Sequence, residues 1–208
     1  MLQIIFNADD AGIDQPRNEG IIRAFNEGCV RSATAIVNGR AFESIASFAL
    51  NEPGFGLGLH LNLTDGMSLT SAQHFAPSGN FSSKREVWAK VWIEGIPVDE
   101  VAAEFRAQIT AFLETGLVPT HLDGHNHIHV FPVVWYVLKL VMNEFPEISG
   151  VRLPYESGPI IKDETNSDGV PQVDLSELSE GGMALERAGH RKAAFFRTVA
   201  DRALQSKP

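Results

Sequence analysis

Residues 55–64, FGLGLHLNLT, decide the fold. Leu57, Leu59, Leu61 and Leu63 recur with a period of two, the repeat of a β-strand that turns one face to a core. His60 and Asn62 fall on the opposite face. A helical pattern precedes this strand: RAFESIASFALNEPG, residues 40–54, closed by Pro53-Gly54. Before that, VRSATAIVN at 30–38 reads as a strand. DQPRNEGIIRAFNEG at 14–28 reads as a helix, with Pro16 near its start, Ile21, Ile22 and Phe25 on one face and Gly28 as a stop. The chain opens on a short apolar run, Leu2 to Phe6, which reads as a buried first strand ending at Asn7.

Downstream, residues 65–83 are rich in Ser, Gly, Thr and Pro and predict an ordered loop over one end of the sheet, or a lid. Helices are expected at 84–95 and 98–115. VPTHLDGH at 118–125 predicts a fourth strand, and VVWYVLKLVMNEF at 133–145 an apolar helix too short to span a membrane. ISGVRLP at 148–154 predicts a fifth strand. Residues 156–182 read as loop and 184–205 as a last helix. Strands alternating with helices predict an α/β chain with a largely parallel sheet and outer helices. GFGLG at 54–58 enters a strand instead of leaving one, so it is no phosphate-binding loop.

Composition sets bounds. The 208 residues are 44% hydrophobic and carry a net charge of -9, which suits one domain with a sizeable core and no nucleic-acid partner. The single cysteine, Cys29, excludes an intrachain disulfide and reads as a small residue near a helix end. The N-terminus shows no basic region followed by a long apolar stretch, so the expectation is a cytoplasmic chain with no membrane partner.

The chemistry gathers where strands end. Asp9 and Asp10 follow the first strand, His60 lies in the third, and Asp123, His125, His127 and His129 follow the fourth in THLDGHNHIHVFP, residues 120–132. Carboxyl ends of parallel strands are where such folds build their sites. If 125–129 is extended, its three histidines share one face, where a cation would relieve their crowding. Adjacent aspartates on a strand point opposite ways. One can therefore ligate while the other takes a proton from water, as metal-assisted hydrolysis requires.

NADD at 7–10, VNG at 37–39, GLHLNLT at 58–64, THLDGHNHIHVFP and VRLP at 151–154 together resemble the YdjC-like carbohydrate deacetylase family, over roughly residues 3–155. The resemblance implies a (β/α)-barrel-like fold and removal of N-acetyl groups from amino sugars such as chito-oligosaccharides. It implies one divalent ion, Mg or Zn foremost with Mn, Co or Ni allowed, held by Asp10, His60 and His125. Asp9 would be the general base toward a water on the ion. His127 and His129 would line the substrate cleft or hold the ligands in place, and Arg152 would bind substrate oxygens or form a surface salt bridge. His121 and Asp123, on the strand before them, read either as partners of the ligands or as strand residues packed under the site. The family also has a late His-Pro motif, whose histidine protonates the departing amine. This sequence has no His-Pro dipeptide, and its only late histidine is His190. The expectation is therefore one domain over 1–208, incomplete at its C-terminus, with an open sheet edge that a second copy could cover. The alternatives are a catalytically impaired metal-binding short form, or a non-haem iron enzyme using the same two histidines and one carboxylate. Trp88, Trp92 and Trp135 could stack on sugars but read first as core residues.

Overall fold

The computed structural model describes residues 4–91 and 95–154. Met1–Leu153 forms one compact unit. The loop and helix expected over 156–205 lie outside the described residues, as does Trp92. Four strands, β1 (Asn7–Ala11), β2 (Ser32–Ala35), β3 (Gly56–Leu61) and β4 (Leu122–Gly124), form one sheet in the order β1-β2-β3-β4. All three pairings are parallel. Helices α1 (Gln15–Asn26) and α2 (Phe42–Asn51) link the first three strands. Helices α3 (Lys84–Ala89) and α4 (Val98–Leu113) lie between β3 and β4, and α5 (Pro132–Met142) follows β4. This is the α/β, barrel-like plan expected. A parallel bridge from Leu122 to Val151 marks the fifth strand position.

Leucine alternation located β3 correctly but understated its burial. Leu57, Leu59 and Leu61 are buried, and so is His60 on the other face, because a parallel strand is covered on both sides. Helix α4 closes one side with Phe105, Ile109 and Phe112, and α5 adds Val134, Val137, Leu138 and Val141. Each such side chain contributes roughly 1.5–3 kcal/mol by leaving water. Phe25, Phe48 and Phe55 pack edge to face with centroids 5.2–5.7 Å apart, fastening α1, α2 and the entry to β3. Trp88 meets Phe131 edge-on, and both Trp88 and Trp135 are packed against the core.

The first strand begins later than its apolar run suggests. β1 starts at Asn7, opposite Ser32, and among the described residues no partner strand reaches residues 4–6. Ile4, Ile5 and Phe6 are accordingly 66%, 77% and 67% exposed. Polar pairing sets the start: Ser32 Oγ donates to Asn7 Oδ1 at 2.6 Å.

The turn leaving β1 is fixed by close backbone approach. A Cβ at Gly39 would collide with the Gly12 carbonyl, and Ala41 N donates to that same oxygen at 2.9 Å. Buried Asn18 accepts from Gly12 N at 2.8 Å and donates to the Ala41 carbonyl at 2.8 Å. These bonds tie the turn after β1, just past the two aspartates, to the turn after β2.

The 65–83 segment is an ordered loop. Buried Glu104 on α4 accepts from Ser68 Oγ, Leu69 N, Thr70 N and Thr70 Oγ1 at 2.6–3.1 Å, and Glu100 accepts from His74 N and Phe75 N. The Asn62 side chain closes the start of the loop through Thr64 N and the Asp65 carbonyl.

Candidate metal centre

β1 reaches the site through a bulge. Ala8 pairs with Ala33 and Ala11 with Ala35, so three steps on β1 oppose two on β2. Asp10 takes the left-handed conformation, φ 66°, sparsely populated for residues other than glycine and tolerated by aspartate. Bulges re-aim side chains beside functional sites. Here Asp10 faces the histidines while Asp9 turns to Arg152.

His60 and Asp123 are opposite each other in the β3–β4 register. Both are buried, and His60 Nδ1 donates to Asp123 Oδ1. The other ring nitrogen, Nε2, lies 3.3 Å from Asp10 Oδ1. His125 Nδ1 lies 2.8 Å from that same oxygen. The rings of His60 and His125 stand 5.4 Å apart at 70°. One ligand atom from each of Asp10, His60 and His125 falls within a span of 4.8 Å. Ligands held at 2.0–2.1 Å in octahedral or tetrahedral shells stand about 2.9–3.4 Å apart, close to the two separations from Asp10. Two imidazoles and a carboxylate are also the donor set of open, catalytic sites, so these residues fit a divalent ion.

The histidine run is not extended, which corrects the shared-face expectation. Residues His125–Val130 form a tight 3₁₀ segment kinked by left-handed Asn126 and His127, φ 54° and 55°. β4 ends at Gly124, where the absence of a Cβ lets the His129 ring lie against the backbone as the chain turns back. The three imidazoles diverge. His125 meets Asp10, His127 is exposed, and His129 is buried with Nε2 donating to the Arg152 carbonyl at 2.9 Å. The turn is pinned by Asn126, which donates to Thr64 Oγ1 at 3.0 Å.

Arg152 grips Asp9 with both terminal nitrogens, at 2.7 and 2.8 Å, and its Nη2 also lies 3.0 Å from Asp123. Burial alone would raise the Asp9 pKa, but hydrogen bonds from Arg152 and Asn7 outweigh it and hold the carboxyl below its ordinary value. Hydrogen bonds from His125 and His60 hold Asp10 far below the usual range. Burial works against charge on His60, yet its bonds to Asp10 and Asp123 raise it to about 9. The carboxylates that favour a proton there equally favour a cation beside it. His129 goes the other way: burial pushes it down to about 4. His121, half-buried, is also lowered, chiefly by burial.

A family model described as YdjC-like protein matches residues 3–204. The chain belongs to the YdjC-like family. The match runs past residue 155, where the recognisable motifs thin out, so the family relationship covers nearly the whole sequence. A protein named chitooligosaccharide deacetylase from Enterobacter sp. strain 638 is 38% identical over 133 residues, 64% of this chain and 52% of its own length. Another of that name, from Salmonella heidelberg, is 32% identical over 199 residues, 94% of this chain and 74% of its own length. The chain thus spans about half of the first relative and about three quarters of the second. Among solved structures, a putative cellobiose-phosphate cleavage protein from Enterococcus faecalis superposes with a TM-score of 0.63 at 27% identity. That match covers 74% of this chain and 59% of that one. Among the described residues, no helix is long and apolar enough to cross a membrane.

Sequence reasoning alone left Asp123 and Arg152 without defined partners. The signal for Asp123 is its register opposite His60, which the sequence of either strand by itself does not carry.

Proposed function

We propose that this YdjC-like chain is a metal-dependent hydrolase that removes N-acetyl groups from amino sugars or chito-oligosaccharides. The observation that carries the reading is the meeting of Asp10, His60 and His125 around one spot, with the Asp9 carboxylate one residue away on the same strand end. The names of the two relatives support the substrate class. Asp10, His60 and His125 would hold a divalent ion, which when bound would lower the pKa of a water and polarise the acetyl carbonyl. Asp9, kept ionised by Arg152, is the acceptor for the proton that leaves the attacking water. Arg152 aims that carboxylate through a fork of two bonds, a geometry that lysine cannot reproduce. His127 is exposed on the turn after His125 and is the histidine of this run placed to meet a sugar. His129 lies beneath it and holds the backbone that carries Arg152.

Incubating metal-replete protein with di-N-acetylchitobiose tests the proposal. Acetate release is the expected result, and it should vanish in Asp10→Ala. Protein that holds one ion per chain yet releases no acetate from any N-acetylated amino sugar would defeat the reading.

A further inference from the structure

One buried carboxylate at the site takes no part in the reaction just described. Asp123 is fully buried on β4. Ionised carboxylates in that position are costly unless their oxygens are fully partnered. Here Oδ1 accepts from His60 Nδ1, while Oδ2 accepts from Thr34 Oγ1 at 3.2 Å and faces Arg152 Nη2 at 3.0 Å. Asp123 thus holds Nδ1 of His60, and an acceptor oxygen there calls for a ring hydrogen on that nitrogen. Nε2 is the nitrogen left for an ion, and it points at Asp10.

We infer that Asp123 is a positioning residue: it fixes the tautomer and ring angle of His60 so that Nε2 is presented to the ion. Its second oxygen holds Arg152, and through Arg152 it also sets the place of Asp9. One carboxylate thus couples a metal ligand on β3 to the proton acceptor on β1. This rests on the metal-site reading above. Outer partners of metal-bound histidines typically change affinity by about 10–100-fold.

The test is a zinc titration of the full chain, with cobalt absorption as a spectroscopic check. Asp123→Asn keeps the shape but cannot satisfy its neighbours. If the amide oxygen accepts from His60, the amide N–H₂ opposes Arg152. If it is flipped, it donates to Nδ1 and forces the proton onto Nε2. Zinc affinity should fall 10–100-fold, with an altered cobalt spectrum. Thr34→Val removes a different hydrogen bond from the same carboxylate and should cost much less zinc affinity than Asp123→Asn. Equal zinc affinity in Asp123→Asn and wild type overturns the inference, and so does an equal loss in Thr34→Val. Nitrogen-15 spectra of the His60 ring in zinc-loaded wild-type protein give an answer that needs no variant. A proton on Nδ1 and zinc on Nε2 are expected; the reverse overturns the assignment. Wild-type protein that binds no zinc or other divalent ion sinks the site reading itself and this inference with it.

Discussion

His60 and His125 reach the same aspartate by opposite routes. His60 sits inside a regular strand, buried, with its second nitrogen locked by a register partner. His125 is the first residue past a three-residue strand, on a segment that needs two left-handed residues to turn. One ligand belongs to the core and the other to a turn. A ligand of the first kind cannot be lost without disturbing the fold, whereas one of the second kind can.

The largest expected effect breaks this comparison most directly. His60→Ala leaves Asp123 buried, charged and short of a partner, and removing one side of such a pair costs about 3–5 kcal/mol. His125→Ala should cost no more than about 1 kcal/mol, the range of ordinary hydrogen bonds at half-buried positions. Both variants should lose metal affinity by more than the roughly 100-fold that outer partners cost. Urea unfolding in chelator, beside a zinc titration, separates the two quantities. Equal stability losses would show that the two ligands are supported alike.

pH sharpens the contrast, because the two regions titrate with opposite signs. On β3, His60 is raised to about 9, so its contribution to chelated protein is complete below pH about 6.5 and is lost as pH rises through 9. On the kinked segment, His129 is held down to about 4. The unfolded chain then takes up the proton first as pH falls. Stability is intact above pH about 6.5 and declines toward pH 4, by up to about 3 kcal/mol from this group. Urea midpoints across that acid range should fall less steeply in His129→Asn than in wild type. Identical slopes would remove His129 as the source.

The smallest effect concerns the turn itself. His127 holds φ 55°, which glycine adopts without strain. His127→Gly should leave stability unchanged or raise it by up to about 1 kcal/mol, keep zinc affinity, and raise KM for the sugar if His127 meets substrate. A loss of zinc affinity would mean that the turn positions His125 through this side chain.

Core-borne features were the legible ones. Leucine alternation found β3, helical periodicity and Gly28 found α1, and residue type at strand ends found the clusters from which the family resemblance picks Asp10, His60 and His125. The apolar run misled over residues 4–6, because the paired part of β1 starts where Asn7 meets Ser32, and hydrophobicity does not encode register. The histidine run misled for a related reason. Alternation implies one face only if the backbone is extended, and left-handed Asn126 and His127 bend it at once. The bulge at Asp9-Asp10 left no periodic signal either, since a single inserted residue changes direction without changing composition. Asp123 and Arg152 were visible as residues but not as partners, because their roles depend on which strands lie side by side.

The most direct measurement is acetate release by zinc-loaded Asp9→Asn with di-N-acetylchitobiose, set beside its zinc affinity. Asn cannot take the proton from water, while Asp10, His60 and His125 remain intact. The account predicts zinc affinity within a few-fold of wild type and acetate release reduced about 10²–10⁴-fold. Undiminished acetate release from zinc-loaded Asp9→Asn would contradict the assignment of Asp9 as the proton acceptor.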